Sequence, residues 1–113
     1  MHEMSIALNI LDIVNDILKK DERRNLKEIV VDIGESVAVV PDSLQFCYET
    51  IVKDTEYKNA ELKINIIPLK IMCHNCKKKS NIERYSFICP RCDSSNITVL
   101  SGEELQIRYL EVD

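Results

Sequence analysis

Tryptophan is absent, and the 113-residue chain holds only two phenylalanines and four tyrosines. Proteins that grip single-stranded nucleic acid stack bases on aromatic side chains, so such a surface is not expected. Glycine and proline are scarce too, at two and three residues. That argues against disorder and low complexity and leaves no glycine-rich phosphate loop. No apolar run approaches the ~18 residues that would span a bilayer. The opening MHEMSIALNI lacks the basic stretch of a secretion signal. A cytoplasmic protein without a membrane partner is therefore expected. Net positive charge is also missing: the chain carries −4, whereas phosphate contacts need clustered Lys and Arg.

What is present is a folded composition, 45% hydrophobic and 30% charged. The charge is uneven. Residues 1–69 hold eight basic and thirteen acidic side chains, whereas residues 70–93 hold six basic and two acidic. Five cysteines are a large number for so short a chain, and a domain this size buries only a modest core.

Residues 4–20 predict a helix, with Met4, Ala7, Leu8, Leu11, Val14, Ile17 and Leu18 on one stripe and Ile6, Ile10 and Ile13 widening it. Asp21–Asn25 reads as a polar turn. LKEIVVDIGE (26–35) is a β-branched strand stopped by Gly34, and 36–40 suits a second short strand. Pro41-Asp42-Ser43 opens a second helix, running to about Asp54 with an apolar face of Leu44, Cys47, Tyr48, Ile51 and Val52. Residues 61–73 alternate as a strand that Pro68 interrupts, and 104–112 alternate as a final strand. The expected fold is α+β: two helices on a three-stranded sheet, with a zinc-ribbon-like four-cysteine domain inserted before the last strand. The expected domains are 1–69 with 102–113, and 70–101. A strand lying beyond an inserted module also permits a domain-swapped homodimer.

The chemistry concentrates in Cys73-His74-Asn75-Cys76 and, twelve residues later, Cys89-Pro90-Arg91-Cys92. Each Cys-x-x-Cys turn can aim two thiolates at one metal, and two turns complete a tetrahedron. With Cys73, Cys76, Cys89 and Cys92 all ligating, no position is left for water or substrate, so the expected ion is structural Zn²⁺. Four thiolates and one zinc add −2, leaving the cysteine segment roughly +2. Two disulfides suit a cytoplasmic protein poorly. Rubredoxin-type iron is open to the same soft ligands, and would make the chain an electron carrier. His74 could replace one cysteine as a ligand, but reads more simply as a solvated knuckle residue. Cys47 reads as a core cysteine.

The amino terminus offers a second site. A terminal amine, backbone amides and the His2 imidazole can meet in one plane, a geometry that favours Ni²⁺ or Cu²⁺ over Zn²⁺, and the helix that follows would give it a rigid support. No nucleophile–base motif is recognisable, so an enzyme is not expected.

The chain as a whole resembles the hydrogenase/urease nickel-incorporation metallochaperones, the HypA/HybF family. The resemblance rests on Met1-His2-Glu3-Met4-Ser5, Val31-Asp32-Ile33-Gly34-Glu35 and Asp42-Ser43-Leu44 with Phe46 and Glu49. The two knuckles and the closing Gly102-Glu103-Glu104-Leu105-Gln106-Ile107 complete it. It implies transient Ni²⁺ held by the His2 imidazole and backbone nitrogens near His2 and Glu3, with the Met1 amine as a further donor and the Glu3 side chain handling the metal. Asp42 either approaches the nickel or caps the second helix with Gln45. The implied partners are a nickel-binding maturation GTPase and the [NiFe]-hydrogenase large-subunit precursor. The insertion that some archaeal relatives carry between the knuckles is missing. The competing reading is a zinc ribbon binding nucleic acid or a transcription partner, motivated by Lys77–Lys79.

Overall fold

A computed structural model describes residues 2–113. Helix α1 spans Glu3–Ile17 and α2 Lys20–Arg23; strand β1 spans Leu26–Gly34, followed by a 3-10 turn at Glu35–Val37; helix α3 spans Pro41–Val52. Strands β2 (Glu61–Ile67), β3 (Lys70–Cys73), β4 (Lys79–Asn81), β5 (Ile97–Ser101) and β6 (Leu105–Val112) follow. They form two three-stranded sheets, ordered β2-β1-β6 and β4-β3-β5. The last strand thus returns to pair with β1, as the α+β reading requires. Among the described residues, no helix is long and apolar enough to cross a membrane.

Contacts divide the chain into two compact units. The first comprises residues 1–32, 39–65 and 106–113; the second comprises 33–38 and 66–105.

In the first unit, α1 buries Ile6, Ala7, Ile10, Leu11 and Val14. This face is rotated from the expected stripe: Met4, Leu8 and Ile17 are exposed, as is Ile13. The helix carries more apolar residues than one face can bury, and its packing chose the Ile6–Ile10 side. The helix also stops earlier than expected, because Leu18 turns extended while its N–H still donates to the Val14 carbonyl at 2.9 Å. The expected polar turn at 21–25 contains α2, a single turn whose start is held by the Lys19 N–H donating to the Glu22 carboxylate at 2.9 Å. Helix α3 buries Leu44, Tyr48 and Val52. Two of its side chains reach β2 and the residue before it: Gln45 donates to the Leu62 carbonyl, and the buried Tyr48 hydroxyl to the Ala60 carbonyl at 2.8 Å. Carbonyls there that would otherwise face outward are thus satisfied. Cys47 is half-buried, less enclosed than expected. Across the sheet, the buried Asp32 on β1 accepts from Asn65 on β2 at 3.2 Å and pairs with Arg108 on β6 at 3.7 Å.

In the second unit, β3 is the central strand. It pairs antiparallel with β4 (Ile71 opposite Ser80) and with β5 (Cys73 opposite Ile97). The expected single strand 61–73 is thus two strands in two sheets. Pro68 cannot donate a ladder hydrogen bond, and the chain leaves one sheet there for the other. The expected strand at 36–40 is instead the 3-10 turn, closed by Ala38 at φ 63°. A small core of Leu69, Ile71, Cys73, Ile82 and Cys89 holds the unit together. The chain's two glycines sit against each other here: the Gly34 N–H donates to the Glu104 carbonyl at 2.7 Å, and a Cβ on Gly34 would lie 2.1 Å from the Gly102 carbonyl carbon.

Candidate metal centre

Strand β3 ends at Cys73, and the chain then turns tightly. The Lys77 N–H donates to the Cys73 carbonyl at 3.0 Å, and the Cys73 N–H to the Lys78 carbonyl at 3.0 Å. The second knuckle repeats the pattern: the Asp93 N–H donates to the Cys89 carbonyl at 2.8 Å, and the Cys89 N–H to the Ser94 carbonyl at 2.9 Å. In each knuckle the residue after the second cysteine is left-handed, Lys77 at φ 64° and Asp93 at φ 60°. Glycine is the usual occupant of such positions. This glycine-poor chain fills them with side chains, and the closed knuckle holds them there.

The turns bring four sulfurs together. The Sγ atoms of Cys73, Cys76, Cys89 and Cys92 all lie within 4.8 Å of one another. Cys73 and Cys92 approach to 3.6 Å, and Cys76 and Cys89 to 3.7 Å. A tetrahedron with Zn–S bonds of about 2.3 Å has an S–S edge of about 3.8 Å, so the spacing fits zinc. Donors aim at the sulfurs as well: the Cys76 N–H at Cys73 Sγ (3.4 Å), the Arg91 N–H at Cys89 Sγ (3.4 Å) and the Asn75 side-chain amide at Cys92 Sγ (3.5 Å). The Asn75 amide and the Ser94 N–H pull the Cys92 thiol down to about 6, and the thiols of Cys73 and Cys89 add to this. At Cys76 the Lys78 N–H pulls downward, but burial and the three neighbouring thiols outweigh it and push the group up to about 11. Four thiols this close cannot all ionise by themselves; a divalent cation relieves the repulsion. Cys73 and Cys89 are buried, Cys76 is half-buried and Cys92 exposed; four sulfurs around one ion leave no open position for substrate.

His74 is not part of this cluster. Its Nε2 lies 2.6 Å from the Thr98 hydroxyl. Cys47, on α3 in the other unit, is not part of it either.

At the other end of the chain, His2 is the N-cap of α1, exposed, and its side chain takes no part in capping. Among the described residues, the first backbone N–H to bond back is that of Ile6, to the His2 carbonyl at 3.2 Å; the first amides of a helix have no partner within it. Glu3 reaches α3. Its carboxylate accepts from the Val40 N–H at 3.3 Å and from the Ser43 hydroxyl at 3.4 Å. The beginnings of the two long helices are thereby tied together, and Asp42 lies between the two residues that Glu3 holds. Asp42 is exposed and occupies the second position of α3, behind Val40 as N-cap and Pro41. The expected capping box with Gln45 does not form, since Gln45 is bonded to β2. The Glu3 link to Val40 and Ser43 had no signal in the sequence, because nothing local pairs residue 3 with residues forty positions on. The Met1 amine lies outside the described residues. Among the described residues, only the four cysteines form a cluster of three or more converging His, Cys, Asp or Glu ligand atoms.

A small α+β chain carrying a closed four-thiolate knuckle pair, with its longest helix beginning at an exposed histidine, defines a metal-handling protein with a scaffold metal of zinc type. The family model described as hydrogenase/urease nickel incorporation, metallochaperone, HypA matches residues 1–112. The chain belongs to that nickel metallochaperone family. It is 38% identical over 113 residues to the hydrogenase maturation factor HypA of Desulfatibacillum aliphaticivorans, covering 99% of this chain and 87% of the relative. It is 36% identical to that of Geobacter sulfurreducens, covering all of both chains. The solution structure of the nickel metallochaperone HypA from Helicobacter pylori has the same fold, with a TM-score of 0.67, 24% identity and coverage of 99% and 97% of the two chains.

Proposed function

We propose that this chain binds Ni²⁺ at its amino terminus and delivers it during maturation of a [NiFe]-hydrogenase, while zinc on Cys73, Cys76, Cys89 and Cys92 holds the second unit folded. The observation that carries the nickel reading is the placement of His2. Its imidazole is exposed at the start of α1 and free of capping duty, next to amides that the helix leaves unpaired. Nickel is the cargo here. The His2 imidazole and the backbone nitrogens of His2 and Glu3 would hold it, with the Met1 amine as a further donor.

Glu3 and Asp42 act around that chelate. A carrier must also release its metal, and a chelate at a chain terminus is held by few tertiary contacts. The Glu3 carboxylate, shared between Val40 and Ser43, can stay on α3 or turn towards the metal, and Asp42 stands beside it as a second carboxylate. The unit built from α1, α3 and the first sheet is the nickel-handling domain; the cysteine-bearing unit, centred on 70–101, is the zinc domain. The chain acts as a carrier and not as an enzyme, in the cytoplasm. It passes nickel between a nickel-binding maturation GTPase and the hydrogenase large-subunit precursor.

The test is a nickel titration of untagged protein, wild type against His2→Ala, with zinc content and circular dichroism measured in parallel. His2→Ala should lose tight nickel binding while keeping one zinc and the wild-type spectrum. Unchanged nickel affinity would overturn the assignment.

A further inference from the structure

Between the end of β4 and the second knuckle, residues 83–88 run along the surface, and every one of them is exposed. Three of the six are large and apolar: Tyr85 at 88% exposure, Phe87 at 43% and Ile88 at 43%. A short loop bound only by water would carry polar residues there. The loop is anchored at both ends. Ile82 is buried in the unit's core and donates its N–H to the Leu69 carbonyl at 3.0 Å, and Cys89 is a buried member of the thiol cluster. Tyr85 stands at φ 70°, a left-handed conformation that a bulky side chain rarely adopts, and the loop presents its ring almost wholly to solvent.

The loop is flanked in the chain by cations. The Arg84 guanidinium lies 5.8 Å from the Tyr85 ring centroid. Arg91, two residues beyond the loop, is exposed and steadied by its Nε donating to the Ser80 hydroxyl at 3.2 Å. Ser80 lies on β4, whose approach carries Lys77, Lys78 and Lys79, all exposed. From residue 77 to residue 93 there are five cations against Glu83 and Asp93. This basic, apolar-tipped surface belongs to a chain whose net charge is −4, and the nickel reading uses none of it.

We infer that this loop is a protein-docking surface, and that its partner is an acidic, apolar-anchored segment of the hydrogenase precursor that receives the nickel. The inference rests on the function proposed above for its choice of partner. Carboxylates of such a segment pair with Lys77, Lys79, Arg84 and Arg91, and an apolar side chain seats against Tyr85, Phe87 and Ile88. Apolar contact supplies the anchor, and the charges supply orientation and speed of encounter. Nucleic acid fits less well. An isoleucine offers no stacking face, only one ring is fully presented, and the acidic remainder of the chain repels a long polyanion.

The experiment measures binding of purified hydrogenase large-subunit precursor to the full-length, zinc-loaded chain at low and high salt. It compares wild type with Tyr85→Ala, with K79E/R84E and with K79R/R84K. Nickel titration, zinc content and binding of a single-stranded RNA are measured on the same samples. The expected result is binding that weakens at least tenfold in Tyr85→Ala and in the charge-reversed variant. The salt dependence should be lost on charge reversal and kept in K79R/R84K, with nickel and zinc unchanged throughout. Equal binding by wild type and both disruptive variants overturns the docking surface while leaving the nickel function standing. Absence of binding by wild type overturns it as well, and the wild-type nickel titration then shows whether the carrier reading fails with it. Tighter, salt-sensitive binding of RNA through the same residues overturns it in favour of nucleic acid.

Discussion

Removing zinc should unfold one unit and spare the other. The second unit has four buried aliphatic side chains, Ile33, Leu69, Ile71 and Ile82, beside two cysteines. At about 1.5–3 kcal/mol per fully buried aliphatic side chain, they contribute roughly 6–12 kcal/mol. A structural zinc site contributes on the order of 10–16 kcal/mol, as much as these side chains together or more. The first unit is different. Ile6, Ala7, Ile10, Leu11, Val14, Ile29, Val31, Leu44, Tyr48, Val52 and Leu62 are all buried there, and it contains none of the clustered thiols. The perturbation is a strong chelator, or Cys76→Ser. The assay is amide hydrogen exchange resolved by peptide, which reports local opening. Peptides covering 70–101 should lose their protection, while those from α1, β1 and α3 should keep it. Full protection of β3 and β5 without metal would refute the claim that the cluster stabilises the unit. Loss of protection throughout the chain would refute the independence of the two cores.

Two further outcomes follow from buried contacts. Tyr48→Phe should cost about 1–2 kcal/mol in urea denaturation, because the Ala60 carbonyl loses its donor; an unchanged midpoint would contradict the bond. Burial first, and Tyr57 second, push the Tyr48 phenol from 10.0 up to about 12. The folded state therefore holds that proton more tightly than the unfolded chain does. Its contribution to stability is intact below pH 10 and is lost as pH rises towards 12, and an ultraviolet absorbance titration should show this tyrosine ionising late. Gly34→Ala should destabilise on the order of 3 kcal/mol, since the new methyl would sit 2.1 Å from the backbone of Gly102; a thermal midpoint within error of wild type would refute that close approach.

The four cysteines were legible because a knuckle is local: two residues between cysteines aim both sulfurs the same way, whatever lies elsewhere. The strand expected at 26–35 was legible from its β-branched run and the stop at Gly34, and the helix opening at Pro41 from its apolar period, though it ends at Val52 rather than near Asp54. Helix α1 was found, but its buried face was not, because a helix apolar on most sides does not say which side its neighbours will take. The interruption of residues 61–73 at Pro68 was legible, and the buried positions change there from even (Leu62) to odd (Leu69, Ile71, Cys73), but nothing local tells which sheet each half joins.

The sequence by itself determined the family and the four-cysteine cluster of this protein. The ligand types, their spacing and the family pattern over nearly the whole length all sit in short stretches of chain. Only the tertiary structure decided which distant groups meet: the Glu3 carboxylate on Val40 and Ser43, Asp32 between Asn65 and Arg108, and Gly34 against Gly102. These contacts join residues 33 to 76 positions apart, and such approaches follow from how helices and sheets pack. A chain so poor in glycine made the point sharply. It used both of its glycines at one close backbone approach, and left Ala38, Lys77, Tyr85 and Asp93 to take the left-handed turns.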